Sequence, residues 1–121
     1  MVVLLSPPGH DDRFVVDGLV NPALHVREDL RLTVSVVNED PTDTHSWAIS
    51  NAGPPYNALP MMGSGRGLPL WGSTMLGEAS GNQFWSQNLS FTLPVGGTSW
   101  YFCLHYGYAA DGMYGSVVVS S

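Results

Sequence analysis

The chain has 121 residues, of which 44% are hydrophobic and only 12% are charged, so a disordered chain is excluded and one domain over residues 1–121 is predicted. Four basic residues, all arginine, against ten acidic ones give a net charge of −6, which argues against a nucleic-acid partner because such a partner needs a basic surface. The single cysteine excludes an internal disulfide and a cysteine-rich zinc site.

The first residues, MVVLLSPPG, have no basic residue and an apolar stretch too short for a signal peptide. No apolar run reaches the roughly 20 residues that span a bilayer. We therefore expect any native leader or membrane anchor to lie outside this chain. Prolines, glycine and aspartates then follow, so residues 1–13 are predicted to be a turn-rich segment with frayed structure.

The strongest strand signal is the segment Leu30–Val37, in which leucine and valine alternate with arginine, threonine and serine. This period of two predicts a half-buried antiparallel strand. Residues 38–44 are predicted to be a polar loop, and residues 51–86 a packed excursion with turns or a brief helix. Further strands are predicted at Phe14–Val16, Leu24–Val26, His45–Ile49, Leu89–Leu93, Ser99–Cys103 and Tyr114–Ser120.

Segments with an apolar period of 3.6 over three turns are lacking, and the predicted strands are short and separated by turn residues. This pattern predicts an all-β Greek-key sandwich, with little helix outside residues 51–86. The strands at 30–37, 99–103 and 114–120 are expected to be central.

Three soft or borderline metal donors are placed around the C-terminal strands. Cys103 ends an aromatic strand, Met113 follows a glycine-containing loop, and His45 begins an earlier strand. Each residue alone has an ordinary interpretation, as a small buried hydrophobe, a core methionine or a capping histidine. Thiolate, thioether and imidazole together are the donors that copper prefers, so their joint placement predicts a copper site.

Several motifs resemble rusticyanin- or sulfocyanin-type cupredoxins over nearly the whole chain from Phe14 onward. They are VVDGLVNP (residues 15–22), His45-Ser46-Trp47, GPPYNALPMM (residues 53–62) and the run GTSWYFC…GMYGSVVV. The resemblance implies a cupredoxin-like fold, with His45, Cys103 and Met113 as copper ligands. It also implies that Ser46 orders the strands near the thiolate by hydrogen bonding.

The chain departs from the family pattern at one ligand position. The family has a histidine five residues after the cysteine, and this chain has Tyr108 there. A phenol is a poor substitute because its deprotonation must overcome a pKa near ~10. His105 is another candidate, since residues two apart on a strand point to the same side. The fourth position is therefore predicted to hold His105, with Tyr108 or an open, water-filled or empty position as alternatives.

The resemblance implies a one-electron carrier between redox partner proteins in the periplasm or outside the cell, rather than an enzyme. Partner contacts are expected to be transient, without a small-molecule substrate, at an apolar patch that includes Tyr108 and Ala109. The patch is also expected to include Tyr106, Ala110, Met61 and Met62. The alternatives are a copper-delivery protein, which would exploit the altered ligand set, and a metal-free scaffold. Attachment of the native form to a membrane is a further alternative.

Outside this set, His10 and His25 are expected to face solvent. Asp11, Asp12 and Asp17 are expected to lie in solvated turns.

Overall fold

The computed structural model of the chain describes residues 1–50, 71–93, 97–104, 108–109 and 111–120. Over these residues it has ten strands and no helix, so the all-β prediction is confirmed there. The strands are β1 (Val2–Leu5), β2 (Phe14–Val16), β3 (Leu19–Val20), β4 (Leu24–Arg27), β5 (Leu32–Asn38), β6 (Ala48–Ser50), β7 (Trp71–Gly72), β8 (Trp85–Phe91), β9 (Gly97–Phe102) and β10 (Tyr114–Ser120). No helix in this part of the chain is long and apolar enough to cross a bilayer.

The strands form two five-stranded mixed sheets. The first has the order β3-β2-β1-β5-β8 and the second has the order β4-β10-β9-β6-β7. Most neighbours are antiparallel, but β1 pairs with β5 and β10 pairs with β4 in parallel. The strands predicted to be central correspond to β5, β9 and β10, and all three are interior strands of their sheets.

The N-terminal prediction was wrong, because Val2–Leu5 is an interior strand between β2 and β5 rather than a frayed segment. Val3 and Leu5 are fully buried, while Val2 is 53% exposed, so this short apolar run alternates as a strand does. The turn residues that suggested fraying begin only at Ser6. Pairing with β5 supplies the backbone hydrogen-bond partners that a free N-terminal segment would lack.

The strand predicted at Leu30–Val37 begins two residues later, at Leu32. Asp29 has a positive φ of 58°, so the chain is still turning there, and Leu30 is 55% exposed. The strand predicted at Leu89–Leu93 is β8, which begins at Trp85 and ends at Phe91. Most of the predicted excursion, residues 51–70, lies outside the described residues.

Aromatic side chains from both sheets fill the space between them. Phe14 of the first sheet packs edge-on against Tyr101 of the second, with ring centroids 5.2 Å apart. Phe91 stacks on Trp71 at 5.2 Å and also contacts Trp47 at 6.1 Å. Such offset and edge-to-face pairs stabilise a core beyond the apolar area that they bury. These ring contacts therefore join the two sheets through their shared core.

Tyr101 also fixes the backbone of the neighbouring strand. Its hydroxyl donates a hydrogen bond to the Pro22 carbonyl at 2.7 Å, so its ring lies across β10. The ring covers Gly115, where a Cβ atom would overlap the Tyr101 ring. The glycine is thus required by close packing against a fully buried aromatic side chain.

We expect Gly115→Ala to destabilise the metal-free protein by about 1–3 kcal/mol, because the added methyl group must displace the Tyr101 ring. Urea unfolding followed by tryptophan fluorescence would measure the loss. Ser116→Ala, on the partly exposed face of the same strand, is the matched control and should change stability by less than about 0.5 kcal/mol. Equal effects of the two substitutions would contradict this account of Gly115.

Candidate metal centre

The backbone brings His45, Cys103 and Met113 to one end of the second sheet. His45 forms an isolated bridge with Leu76, in which the two residues exchange N–H···O hydrogen bonds of 3.2 and 2.8 Å. Cys103 directly follows β9, and its N–H donates to the carbonyl of Met113 at 3.3 Å. Because β6 and β9 are paired, with Ala48 opposite Phe102, the residues just outside these strands also lie side by side. All three candidate ligands are fully buried.

The side chains of His45 and Cys103 face each other. Nδ1 of His45 lies 3.6 Å from Sγ of Cys103. Metal bonds of about 2.0 Å to imidazole nitrogen and about 2.3 Å to thiolate sulfur would place two such donors roughly 3.5–3.8 Å apart when they share one ion. The observed separation therefore fits joint binding of one metal ion.

Ser46 makes hydrogen bonds to Cys103 and to the residue that follows it. Its N–H donates to Cys103 Sγ at 3.5 Å, and its hydroxyl oxygen accepts a hydrogen bond from the N–H of Leu104 at 2.9 Å. The segment that precedes β6 and the segment that follows β9 are thus connected directly at the candidate site. This is the ordering role that the resemblance implied for the serine.

The other nitrogen of His45 is bound to a buried carboxylate. Nε2 lies 2.7 Å from Oδ2 of Asp40, which is only 5% exposed, and 3.0 Å from the hydroxyl oxygen of Ser6. An ionised carboxylate can only accept, so Nε2 must carry the hydrogen. In the neutral ring this leaves the lone pair on Nδ1, the nitrogen that faces Cys103.

The carboxylate of Asp40 is itself fixed in place. Its Oδ1 accepts hydrogen bonds from the N–H and hydroxyl of Thr42, both at 2.9 Å, and from the N–H of Asp43 at 3.2 Å. Burial by itself would raise the pKa of Asp40, but the hydrogen bonds from Thr42 and His45 outweigh it and hold the pKa below its ordinary value. Asp40 is therefore ionised and oriented toward His45.

Asp12 completes this polar cluster. Its N–H donates to the Ser6 hydroxyl at 2.8 Å, and its Oδ1 lies 3.8 Å from Nε2 of His45. Burial is the main reason why the pKa of Asp12 lies above its ordinary value; His45 opposes the shift and the charge of Asp40 adds to it. The ligand atoms of Asp12, Asp40 and His45 lie within 4.8 Å of one another, as in a cation site. An ion there would have to separate Nε2 and Oδ2, which are already in direct hydrogen-bond contact, so we interpret the cluster as the support of His45.

Tyr108, which stands at the family's second histidine position, packs on the imidazole. Its ring centroid is 5.1 Å from that of His45 with an interplanar angle of 38°. Its hydroxyl is hydrogen-bonded to Asp43, and its pKa is raised mainly by burial and further by this carboxylate. These contacts describe a neutral phenol directed at Asp43, and they disfavour the phenolate ligand considered above. His105, the other candidate, lies outside the described residues.

Other sequence predictions have mixed outcomes. His10 and His25 are exposed, as expected. Residues 38–44 were predicted to be a polar loop, but Asn38 and Asp40 within it are buried, because their side chains serve as hydrogen-bond partners of that loop's own backbone. The interpretation of Asp12 as merely solvated missed its contact with His45. The spacing Asn38-x-Asp40-x-Thr42, which favours side-chain-to-backbone turns, was the available signal for Asp40.

The predicted apolar patch is wrong at Ala109, which is 2% exposed and packs with Ala48 and Phe102. Tyr108 is half-buried. The other members assigned to the patch, Tyr106, Ala110, Met61 and Met62, lie outside the described residues.

We expect Ser46→Ala to lower the stability of the metal-free protein by about 1 kcal/mol, because the Leu104 N–H loses its acceptor in a partly buried position. Ser35→Ala removes a hydroxyl that bonds Asn88 on the exposed surface, and this control should cost less. Thermal unfolding of both variants would test the difference. A cost for Ser46→Ala no larger than that of the control would contradict a structural role for this hydroxyl.

No family model matches the chain. Rusticyanins from Acidithiobacillus ferrooxidans and Acidithiobacillus ferridurans are 28% and 27% identical to it over 106 residues, or 88% of the chain. The chain spans about half the length of these curated relatives, 54% in each case.

Solved structures agree with this similarity. A structure of rusticyanin from Thiobacillus ferrooxidans matches with a TM-score of 0.85 and 27% identity, over 98% of this chain and 75% of that one. Another, described as a copper protein, matches with 26% identity and the same TM-score of 0.85. The two mixed sheets are thus those of a cupredoxin-like sandwich, and the predicted fold class is confirmed.

Proposed function

We propose that this chain, which resembles rusticyanins in sequence and fold, carries one electron at a time on a bound copper ion. The observation that carries the proposal is the approach of His45 Nδ1 to Cys103 Sγ at 3.6 Å, in a site where both side chains are fully buried. In this proposal His45 supplies an imidazole, Cys103 a thiolate and Met113 a weak thioether. His105 is proposed as the fourth ligand, two residues beyond the cysteine.

Copper in such a donor set alternates between the cuprous and cupric states. The contribution of the chain is to hold the donors still. The bridge to Leu76 fixes the backbone of His45, and the hydrogen bonds among Ser46, Cys103 and Leu104 fix that of the cysteine. Ligands that keep their positions lower the rearrangement that accompanies each electron transfer. Their burial excludes water from the site, which further limits rearrangement.

A partner protein cannot touch His45, Cys103 or Met113, because all three are fully buried. Tyr108 both packs on His45 and reaches solvent, so it offers a short path between the proposed site and a docked partner. We propose brief contacts with redox partner proteins, in a location outside the cytoplasm, as the resemblance implies. Small redox interfaces favour rapid exchange over affinity.

One observation favours a second candidate, a copper-delivery protein. A neutral Tyr108 directed at Asp43 leaves cysteine, methionine and one histidine as the described donors. Thiolate and thioether donors favour Cu(I) over Cu(II). A delivery protein would bind Cu(I) tightly and show no reversible oxidation, whereas an electron carrier would cycle between both states by voltammetry.

We expect Cys103→Ser to abolish tight copper binding, because a hydroxyl offers no soft thiolate donor. Titration with Cu(I) and Cu(II) against a competing chelator would measure the affinities, and the charge-transfer absorption of a thiolate–Cu(II) site should disappear. Met75→Leu, at a methionine that is 45% exposed, is the control and should leave binding unchanged. Parent-like copper affinity in Cys103→Ser would refute the proposed site and, with it, the electron-carrier function.

We expect Tyr108→Phe to leave the visible spectrum of the copper-loaded protein nearly unchanged, while stability falls by about 1 kcal/mol through loss of the hydrogen bond to Asp43. His105→Ala should alter both the charge-transfer band and the reduction potential, because it removes a proposed ligand. Absorption spectroscopy and voltammetry of the two variants would separate the candidates. Loss of a phenolate-to-copper band in Tyr108→Phe would instead identify the tyrosine as the ligand.

A further inference from the structure

We infer that Asp40 is a positioning residue of this site: its carboxylate sets which nitrogen of His45 presents its lone pair to a metal, and its charge favours the oxidised state of that metal. The inference rests on the proposed function for the identity of the metal. Which nitrogen of His45 carries the proton is a property of the metal-free protein, and it follows from contacts between described residues.

The hydrogen bond between Nε2 of His45 and Asp40 has one possible direction. Asp40 Oδ2 and the Ser6 hydroxyl oxygen both lie within 3.0 Å of this nitrogen, and the carboxylate can act only as an acceptor. Nε2 therefore carries the proton and Nδ1 presents its lone pair toward Cys103 Sγ. A histidine that binds a metal through one nitrogen commonly donates its other N–H to a carboxylate, and this bond fixes the ring.

The side chain of Asp40 is held in one orientation. Its Oδ1 receives three hydrogen bonds from Thr42 and Asp43, so only Oδ2 is directed at the imidazole. An asparagine at this position would place its amide oxygen among those donors, and its NH₂ group would then face Nε2. The hydrogen bond to His45 would be reversed, and the proton of the neutral ring would move to Nδ1.

The negative charge of Asp40 also acts on the metal. Among the described residues, the ion-pair contact of Asp40 is with His45, and no arginine neutralises it there. A buried anion one imidazole ring away interacts strongly with a metal because little water screens it. Oxidation adds a positive charge at the metal, so this anion stabilises the cupric state more than the cuprous one. Oδ1 of Asp12 lies 3.8 Å from Nε2 of His45 and adds negative charge as well. The Asp12 side chain is 35% exposed, so water screens its charge more strongly.

The experiment compares the parent protein with Asp40→Asn and with Glu39→Gln, which removes one negative charge from the neighbouring residue without a contact to His45. In the metal-free proteins, nitrogen NMR shifts of the His45 ring report which nitrogen is protonated. The parent and Glu39→Gln should carry the proton on Nε2, and Asp40→Asn should carry it on Nδ1. Asp40→Glu keeps a carboxylate and should retain the proton on Nε2. This variant keeps the comparison decisive if Asp40→Asn fails to fold.

In the copper-loaded proteins, the ratio of Cu(II) to Cu(I) affinity should fall at least tenfold in Asp40→Asn, within the range typical when the support of a ligand is removed. A tenfold change corresponds to a rise of about 59 mV in a one-electron reduction potential. Glu39→Gln should change the ratio less than threefold.

An Asp40→Asn protein that keeps the proton on Nε2 would overturn the positioning role. An affinity ratio equal to that of Glu39→Gln would overturn the role of its charge. A parent protein that binds no copper would refute the proposed function, while the NMR comparison would still decide the positioning role. Binding of Zn²⁺ by Cys103→Ser that is lost on adding Asp40→Asn would show a separate cation site at Asp12, Asp40 and His45, and would overturn the inference.

Discussion

A buried hydrogen bond between Nε2 of His45 and the carboxylate of Asp40 determines how the two sheets meet at the candidate site. Ser6 and Asp40 follow strands of the first sheet, while the chain after His45 enters the second. The imidazole therefore lies across the gap between the sheets, with one nitrogen held by residues of the first and the other facing Cys103. Loss of this bond would leave Oδ2 of a buried carboxylate without the imidazole donor, which is costly in a core that excludes water.

Much of the fold could be predicted from the sequence because its signals are local. Along β5 and β10, buried and partly exposed residues alternate over seven residues, and this period of two can be read from the sequence. The N-terminal strand could not be predicted in the same way. Val2–Leu5 is a four-residue apolar run whose role depends on parallel pairing with β5, some thirty residues away. The pattern of a short run does not specify its partner.

The residues of the candidate site also differ in how well local sequence signals predict them. Cys103 and Met113 flank one loop, and donor chemistry with spacing was enough to place them together. Asp40 lies in the segment predicted to be a polar loop, where an acidic residue is usually exposed, and only the three-dimensional structure shows the donors that compensate its burial. Tyr108 illustrates the opposite difficulty. Its sequence position matches a ligand, yet its hydroxyl is directed at Asp43, a residue that precedes it by more than sixty positions.

The two parallel pairings have a consequence for biogenesis. The site takes Ser6 from the start of the described chain and Met113 from the segment before β10, which must pair with both β4 and β9. Contacts between such distant parts of a sequence form late and slowly. Until β10 docks against β9, the thiol of Cys103 lacks part of its enclosure and stays accessible to oxidants and to adventitious metals. Protection of this thiol in the cell therefore depends on how quickly the last strand docks.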